Sequence, residues 1–361
     1  MRRRALLKGV GALAASAAVP MPAIAQTRTI RYTLSWLPTG GNAYVYMARQ
    51  LGYWKKRGIE VELARGYGSM AAIQAVSQGK FDLGNSGSGA VLLSVIKGTG
   101  ITIAATVGYD SGMGIIVPAA GPVAAAADLK GRTIGATANG SDTPFLPPYF
   151  KKLGLKPDDV TVAFVDSQII EQSVIQGRTD GMVAVASSSI PVFVTHDVAI
   201  RFFPFSDQGL RLYGSSTIVS NAFLKQNRSL VADFTEGMLE GLRFSLLNPR
   251  ETVERFLKEQ EVIAMKKDAA RFTEFGLGIG AAVTVAPEPE TNGLGFTDLT
   301  ALGEQATLVR AAQGSERDPD PPPAATYATN GLIGHVALSS DEWQQVRRYA
   351  APYAAYLGRT L

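Results

Sequence analysis

Small polar side chains recur in turns that precede predicted helices along this 361-residue chain. Each turn offers hydroxyl or amide groups beside the free backbone N–H groups of a helix start, a combination that can hold a polar solute. The same residue types also cap helices without any ligand, so a single turn says little. Their recurrence in both halves of the chain favours a solute site. The candidate ligand-binding residues of this kind are Thr39, Gly40, Asn42, Ser69, Ser86, Ser88, Asn139, Ser141 and Ser187.

Aromatic and acidic residues in the same turns indicate what the solute could be. The aromatic candidates are Trp36, Tyr67 and Tyr109, and the acidic candidates are Asp110, Asp142 and Asp166. A flat ring at a strand end can stack on a planar ligand, or it can cover the rim of the core. Carboxylates accept hydrogen bonds, which suits a ligand with N–H donors such as an aminopyrimidine.

No Lys or Arg occurs in these turns, and Arg65 is the nearest guanidinium. An obligatory polyanion is usually bound by a guanidinium fork, so the sequence disfavours one. Helix-start amides alone can hold a single negative charge, and an alkyl sulfonate or nitrate-like anion therefore stays as the alternative ligand. We favour a small organic solute with an aromatic or heteroaromatic part.

The sequence contains no cysteine and only two histidines, His196 and His335. This composition excludes disulfide scaffolds, thiol catalysis, iron–sulfur clusters and thiolate zinc sites. Asp197 follows His196, but no Gly-x-Ser-x-Gly pattern of an activated serine is present nearby. The Gly-x-Gly pairs at 66–68 and 87–89 do not complete a nucleotide-binding motif. We therefore predict no catalytic residue, no metal and no cofactor.

The formal net charge is +4, from 35 Lys and Arg against 31 Asp and Glu. Arg2, Arg3, Arg4 and Lys8 lie in residues 1–25, which contain no acid, so the rest of the chain has 31 basic and 31 acidic residues. A neutral body with no basic run gains little from counterion release, which drives nucleic-acid binding. We expect no nucleic-acid partner.

Residues 1–25 have the organisation of an export signal peptide. A basic start is followed by an apolar, alanine-rich stretch at 10–19 and by a small-x-small cleavage site ending at Ala25. The apolar stretch is too short to span a bilayer. Arg3 and Arg4 fit the twin-arginine pattern, with an ordinary secretory signal as the alternative. We expect cleavage after Ala25 and a periplasmic mature protein.

Short β-type runs alternate with helical patterns from residue 29 onward, which predicts an α/β fold with largely parallel sheets. The alternation occurs twice, with a Pro/Ala/Gly stretch at 118–122 between the two sets. A loop is predicted at 317–325, where four prolines occur. The predicted strands are 29–35, 60–63, 81–84, 101–107, 133–135, 160–165, 181–185 and 212–220. The predicted helices are 43–51, 70–78, 89–97, 145–153, 168–176, 222–247, 249–258 and 341–357, the last capped by Ser340.

Five short motifs, in order along the chain, resemble those of the periplasmic solute-binding proteins of ABC importers. The group concerned is the SsuA-like and NMT1/THI5-like one, which handles sulfonates, nitrate and thiamine-pyrimidine precursors. Each motif alone is weak, whereas the ordered set is specific and covers nearly all the mature chain. The motifs are GYWKKRGIEV at 52–61, AVSQGKFDLG at 75–84, DLKGRTIG at 128–135, GRTDG at 177–181 and NPRE at 248–251.

The resemblance implies a two-lobed periplasmic-binding-protein fold of type II, with two mixed, mostly parallel sheets flanked by helices and a ligand in the cleft between them. Residues 27–118 and 216–361 would form one lobe and 122–212 the other, with hinge crossings near 118–122 and 212–216. The implied partners are a small-molecule solute and the permease and ATPase subunits of an importer, and the protein would be a monomer. Eukaryotic pyrimidine-precursor synthases of the same family are the enzyme alternative. The absence of Cys and the scarcity of His disfavour it.

Overall fold

The computed structural model describes residues 27–138, 140–315 and 317–361. The predicted signal peptide lies outside the described residues. The strands are β1 (Arg28–Thr33), β2 (Ile59–Ala64), β3 (Leu83–Gly87), β4 (Ile101–Thr106), β5 (Met113–Pro118), β6 (Thr133–Ala136), β7 (Thr161–Phe164), β8 (Gly181–Val185), β9 (Ile200–Pro204) and β10 (Ser215–Ser220).

Helices separate most of the strands along the chain, as the alternating pattern predicts. They are α1 (Ala43–Gln50), α2 (Ser69–Ser77), α3 (Ser88–Ile96), α4 (Leu146–Lys152), α5 (Ile170–Ile175), α6 (Ala186–Thr195), α7 (Asn221–Leu247), α8 (Pro249–Glu259), α9 (Glu261–Ala264), α10 (Ala269–Thr284), α11 (Pro287–Asn292), α12 (Leu299–Gln313) and α13 (Ser340–Ala354). Within the described ranges, none of these helices combines the length and apolar character needed to cross a bilayer.

Two five-stranded mixed sheets form the framework, with strand orders β2-β1-β3-β10-β4 and β7-β6-β8-β5-β9. In the first sheet β1 pairs parallel with β2 and β3, and β10 runs antiparallel to β3 and β4. In the second sheet β6 pairs parallel with β7 and β8, and β5 runs antiparallel to β8 and β9. The predicted fold class, two mixed sheets flanked by helices, is confirmed.

The chain passes between the two sheets at residues 107–112 and again at 205–214. The first passage lies upstream of the predicted crossing at 118–122, because residues 113–118 form β5 and pair with β8 and β9 of the second sheet. The second passage overlaps the predicted crossing at 212–216, because β10 of the first sheet begins at Ser215. Residues 113–118 therefore belong with the second sheet, not with the first as the sequence suggested.

The longest helix, α7, packs its apolar face on the first sheet and on α1. Trp54 stacks on Phe234 of α7 with ring centroids 5.0 Å apart, and its indole N–H donates to the Phe234 carbonyl oxygen at 2.8 Å. Tyr44, Tyr46 and Trp54 are all buried. This packing holds α1, which follows the β1–α1 turn, against α7.

The carboxyl-terminal helix α13 begins one residue earlier than the sequence suggested. Its N-cap is Ser339, not Ser340: the Ser339 hydroxyl accepts a hydrogen bond from the Glu342 N–H at 3.3 Å, and the Glu342 carboxylate accepts one from the Ser339 N–H at 2.8 Å. This reciprocal pair is a capping box, which takes Glu or Gln three positions after the cap, whereas Trp343 stands three positions after Ser340. Ser339 has that partner, and its position settles where the helix begins.

Helix α10 was not predicted, and its glycines lie against the β1–α1 turn and the start of α6. A Cβ on Gly40 would lie 1.8 Å from the Thr273 carbonyl oxygen, so only glycine allows α10 to approach the β1–α1 turn so closely. Gly276 of α10 lies against the backbone of both Gly40 and Ser187. The helix thereby holds the β1–α1 turn next to the start of α6 in the second sheet's set.

Candidate ligand-binding site

A cavity of about 140 Å³ lies between the two sheets, where strand ends of both meet. This volume is below the roughly 300–1,000 Å³ of sites for drug-sized molecules, so it suits a small solute. The first sheet's side of the lining consists of Ser35, Trp36, Leu37, Thr39, Gly41, Asn42, Gly68, Ser69, Asn85, Gly87, Ser88 and Gly89. Ser215, the first residue of β10, also belongs to the first sheet's side. The second sheet's side and the connections consist of Ser111, Met113, Thr137, Gly140, Ser141, Asp142, Ile170, Glu171, Met182, Val183, Ala184, Val185, Ser187, Ser188, Ser189, Tyr213 and Gly214.

The first sheet's side of the lining is the first wall of the cavity, and the second sheet's side is the second wall. The two walls approach each other closely at the cavity's edges. A Cβ built on Gly41 would lie 3.3 Å from the Ser187 Cβ, and one built on Gly87 would lie 3.5 Å from the Ser141 Cβ. These are contacts between residues of the two different sheets' sets. The cavity is therefore narrow, and a solute inside it would touch both walls.

More than half of the predicted binding residues come together in this lining. They are Trp36, Thr39, Asn42, Ser69, Ser88, Ser141, Asp142 and Ser187. They come from turns far apart in the sequence, which supports the inference that recurrence in both halves marks one site. Whether each contacts a ligand stays a prediction. Asn139 lies outside the described residues.

Two predicted aromatic residues lie away from the cavity. The Tyr67 ring is 64% exposed and lies under the Arg65 guanidinium, 4.4 Å from its carbon to the ring centroid. The Tyr109 hydroxyl donates to the Phe296 carbonyl oxygen at 2.7 Å, and its ring packs edge-on against Tyr213. Local partners therefore turn Tyr67 outward and hold Tyr109 in the core rim.

Ser86 is buried but lies on the opposite side of β3 from the cavity. Successive side chains of a strand alternate between its two faces, and Asn85 and Gly87 are the residues of this strand that line the cavity. The Ser86 hydroxyl donates to the Gly87 carbonyl oxygen at 3.3 Å. Gly40, another predicted residue, is enclosed against α10 instead of the cavity.

Two predicted aspartates have structural partners outside the cavity. Asp110 accepts a hydrogen bond from the Gly112 N–H at 2.8 Å, faces Arg359 at 3.6 Å, and lines an adjoining cavity of about 60 Å³. Asp166 is exposed, and its carboxylate accepts a hydrogen bond from the Gln168 N–H at 2.8 Å. Both carboxylates close local turns of the kind that Asp forms in loops.

Trp36 is half-buried three residues after the end of β1 and forms part of the cavity wall. Its carbonyl oxygen accepts a hydrogen bond from the Gly66 N–H at 2.9 Å, and the Ser35 carbonyl oxygen accepts one from the Gly68 N–H at 2.8 Å. A Cβ on Gly66 would lie 2.1 Å from the Leu34 carbonyl oxygen, so glycine is required for this close approach of the two turns. The backbone at Trp36 is thus fixed by hydrogen bonds to the turn at 66–68.

Several polar side chains of the first wall are already hydrogen-bonded to the protein. Asn42 donates to the Leu37 carbonyl oxygen and accepts from the Thr39 N–H, both at 2.9 Å, which fixes the β1–α1 turn. Ser35 donates to the Asn85 amide oxygen at 2.8 Å. The Asn85 amide nitrogen has only long contacts of 3.5 Å, to Tyr44 and to the backbone. Asn85 was not among the predicted binding residues, although it precedes the predicted Ser86 in the same segment.

The second wall carries the two acidic groups of the cavity. Asp142 is 6% exposed, and its Oδ1 accepts a hydrogen bond from the Thr143 N–H at 2.9 Å. Glu171 lies in the first turn of α5, and its Oε1 accepts a hydrogen bond from the Ser189 hydroxyl at 2.9 Å. Burial raises the pKa of both carboxyl groups, and the Asp142 charge raises the pKa of Glu171 further.

Glu171 was missed because sequence reasoning considered the turns and not the helices that follow them. Its type and place, an acid in the first turn of a helix that follows a strand, were visible in the sequence. The burial of its carboxyl group was not, since that depends on α6 and on the opposite wall. Together with Asp142, it makes the second wall an acceptor of hydrogen bonds from a ligand.

No Lys, Arg or His is among the described residues that line the cavity. In the described ranges there is also no group of three or more His, Cys, Asp or Glu residues placed to hold a metal ion. The site can therefore stack on a flat surface, accept hydrogen bonds at its second wall, and offer neutral hydroxyl and amide groups at its first.

The family model described as NMT1/THI5 like matches residues 41–252, well over half of the chain. The chain belongs to the NMT1/THI5-like family. The matched region includes strands of both sheets and residues of both cavity walls. The family resemblance predicted from the five motifs is confirmed.

Curated relatives of two kinds are similar to this family member. A formylaminopyrimidine-binding protein from Halalkalibacterium halodurans is 24% identical over 235 residues, which cover 64% of this chain and 71% of the relative. A 4-amino-5-hydroxymethyl-2-methylpyrimidine phosphate synthase from Saccharomyces cerevisiae is 22% identical over 236 residues, which cover 62% of this chain and 68% of the relative. One relative is a binding protein and the other an enzyme, and both names contain an aminopyrimidine.

Solved structures share the fold at low sequence identity. The alkanesulfonate-binding protein SsuA from Xanthomonas axonopodis pv. citri, bound to MOPS, superposes with a TM-score of 0.63 and 17% identity, covering 84% of this chain and 99% of its own. A Candida albicans protein described as having the generic periplasmic binding protein fold gives a TM-score of 0.63 and 13% identity, covering 87% and 99%. The fold is thus that of the periplasmic binding proteins.

Proposed function

We propose that this family member is the extracytoplasmic solute-binding component of an ABC importer, and that it captures a small planar organic solute between its two sheets. The observation that carries the proposal is the narrow cavity lined by both walls, with Trp36 on one side and Asp142 and Glu171 on the other. A solute enclosed there would bridge the two halves, and such bridging is how a ligand favours a closed state.

The charge of the lining favours a ligand with N–H donors over an anion. Two carboxyl groups line the cavity, and its described lining contains no Lys, Arg or His to offset a negative ligand. Anion sites usually use a guanidinium or ammonium group for that purpose. The relative named as a formylaminopyrimidine-binding protein supports a heteroaromatic solute of the pyrimidine kind. The likeness to sulfonate-binding proteins is a likeness of fold, and the sulfonate or nitrate-like alternative has no cation in the cavity to support it.

We propose a binding role without turnover, although the yeast relatives are named as synthases. His196 lies at the end of α6 next to Gln172, and His335 is an exposed side chain near Glu236. Neither histidine lines the cavity. A reaction that needs an imidazole or a thiol would have no such group at this site, because the sequence has no cysteine.

The location and partners follow from the proposed role. Residues 1–25 would direct export and be cleaved after Ala25, and the mature protein would act as a monomer in the periplasm. Its membrane partners would be a permease and an ATPase. The passages at 107–112 and 205–214 would serve as the hinge between lobes, since they are the connections that join the two sheets.

Identification of the bound solute tests the proposal directly. The mature protein is purified without denaturation, and any ligand released by acid is identified by mass spectrometry. Calorimetry then compares 4-amino-2-methylpyrimidine with ethanesulfonate and nitrate. We expect binding of the aminopyrimidine with one site per chain, no binding of either anion, and unchanged ligand after long incubation. Tight binding of an anion would refute the ligand class, and conversion of the ligand to a product would refute the binding role.

A further inference from the structure

A second, smaller cavity of about 60 Å³ adjoins the ligand cavity, and we call it the annex. Several residues line both cavities, so that only one layer of residues separates the two spaces. All but one of these shared residues are glycine or serine, whose small size leaves room for part of a ligand to reach from one cavity into the other. The shared residues are Gly41, Ser111, Val185, Ser187, Gly214 and Ser215.

The annex lies where the two sheets are connected. Most residues of the first passage, at 107–112, line it, and so does Gly214 of the second passage. Helices α7 and α10 supply most of the remaining lining. A ligand group in the annex would therefore touch both connections between the sheets, in addition to the walls that hold the rest of the ligand.

Aliphatic side chains make up much of the annex lining. Both long helices present them, and all are buried or nearly so. A surface of this kind gains most from an aliphatic group, because burial of apolar area is favourable and needs no hydrogen-bond partner. The largest of these side chains are Leu242, Leu246, Leu277 and Ile279.

Four polar side chains line the annex and not the ligand cavity, and each already has a partner in the protein. The Ser245 and Thr284 hydroxyls each donate to a carbonyl oxygen of their own helix at 2.9 Å. The Asp110 carboxylate accepts from a backbone N–H of its own turn at 2.8 Å and faces a guanidinium group at 3.6 Å. The Tyr44 hydroxyl lies 3.5 Å from an amide nitrogen of the first wall. The annex thus does not call for a polar ligand group.

The two volumes set the size of a ligand that fills both spaces. An apolar cavity of about 150 Å³ holds one benzene ring, so the ligand cavity, at about 140 Å³, has room for about one six-membered ring. In the same proportion the annex has room for about two or three further non-hydrogen atoms. We propose that the annex is a subsite for a short aliphatic substituent on the ligand ring. The inference rests on the proposed function and narrows its ligand to six-membered heterocycles that carry such a substituent.

A series of 4-aminopyrimidines tests the subsite by calorimetry on the wild-type mature protein. The series contains 4-aminopyrimidine and its 2-, 5- and 6-ethyl isomers, which place the ethyl group on each free ring carbon in turn. We expect one isomer to bind about tenfold more tightly than the parent, because the annex buries two more aliphatic carbons. At the same ring position a butyl group should lose the gain because it is too long for the annex. A hydroxymethyl group should lose it because the annex offers its hydroxyl no free partner.

Two neighbouring alanines of α10 provide a matched pair of variants. Ala281 lines the annex and not the ligand cavity, whereas Ala282, which is also buried, belongs to the described lining of neither. Ala281→Val adds two carbon atoms at the annex and should cancel the preference for the ethyl isomer over the parent. Ala282→Val adds the same atoms elsewhere and should keep the preference. Each preference is a ratio of two affinities of one variant, so a change in its stability does not enter, and the wild-type series decides alone if a variant does not fold.

Each contrary result has a distinct meaning. If wild type binds 4-aminopyrimidine or 4-amino-2-methylpyrimidine but no ethyl isomer more tightly, the inference is overturned and the proposed function stands. An equal gain from hydroxymethyl would overturn the aliphatic character of the subsite, and an undiminished ethyl preference in folded Ala281→Val would show that the ethyl group lies outside the annex. If wild type binds none of these pyrimidines, the proposed ligand class falls, and the inference falls with it.

Discussion

Replacement of Trp36 by alanine should weaken ligand binding far more than it weakens folding. The Trp36 side chain is half-buried in the cavity wall, and its backbone is held by the turn at 66–68. Stacking on a planar solute contributes about 0.5–1.5 kcal/mol beyond area burial. Loss of apolar contact with one ligand face adds about 1.5–2 kcal/mol. The sum of about 2–3.5 kcal/mol corresponds to a dissociation constant raised roughly 30- to 300-fold.

The chain offers a matched tryptophan for the control. Trp54 is 1% exposed, stacks on Phe234 and donates to its carbonyl oxygen. Trp54→Phe keeps an aromatic ring but removes the donor and part of the packing, which should cost about 1–3 kcal/mol of folding stability. It should leave the affinity of the folded protein unchanged. The two variants therefore should show opposite patterns in affinity and in melting temperature.

Calorimetric affinity and thermal melting, measured on the same preparations of both variants, make the comparison. For Trp36→Ala we expect a large loss of affinity and a melting temperature within a few degrees of wild type. A large fall in melting temperature with unchanged affinity would show that the Trp36 ring is packing and not a ligand contact. That result would remove the aromatic surface from the site and strengthen the small anion as the ligand.

Two other changes test the export signal and the approach of α10. Joint replacement of Arg3 and Arg4 by Lys should strongly reduce the amount of periplasmic protein, measured by fractionation, if the twin-arginine route is used; an unchanged amount would indicate the general secretory route. Gly40→Ala should destabilise the fold by about 3 kcal/mol in a denaturant titration, because its Cβ would lie 1.8 Å from a carbonyl oxygen of α10. Gly303→Ala, in α12 with nothing within 4 Å of the new Cβ, is the control and should be neutral or slightly stabilising.

Local sequence patterns were sufficient to predict those strands and helices that are determined by their own residues and not by distant partners. The strand predicted at 181–185 matches β8, since a glycine and a short apolar run mark it without reference to a partner. β5 and β9 were not predicted, because these strands owe their place to antiparallel pairing between distant segments. Helix α10 was not predicted because its glycines argue against a helix. Close contacts with the backbone of Gly40 and Gly41 and with the Tyr353 ring explain those glycines, and the sequence does not show these contacts.

The site could be predicted as a set of turns but not in its detail. Turn chemistry selected Ser88 and Ser187 as candidates, and both lie at helix starts in the cavity lining, although helix α6 after Ser187 was not itself predicted. The start of β3 was set too early, so the alternation that buries Ser86 and exposes Asn85 to the cavity could not be used. Tyr67 directly precedes Gly68 and Ser69, which line the cavity, but its ring faces outward in a cation–π contact with Arg65. Such choices depend on side-chain partners that composition and spacing do not specify.

The division of polar groups between the walls also bears on how the protein closes. In an open cleft Asp142 and Glu171 would be hydrated, whereas closure removes water from both and raises their pKa values. Closing without a ligand therefore costs the desolvation of two acidic groups, and a ligand that donates hydrogen bonds to the second wall offsets that cost.

This coupling predicts that acid alone favours closure of the empty protein. Lowering the pH lets Glu171 take up a proton as the cleft closes, because burial raises the pKa of its carboxyl group. This uptake removes most of the desolvation cost for that group, because neutral carboxyl groups are far less costly to bury than carboxylates. Small-angle scattering should show a smaller radius of gyration at about pH 5 than at about pH 8 without ligand, and compaction at both pH values when ligand is bound. Empty Glu171→Gln should be as compact at pH 8 as wild type is at pH 5. A radius that does not change with pH or with a tightly bound ligand would mean that the two sheets move as one body, and the hinge at 107–112 and 205–214 would have no role in binding.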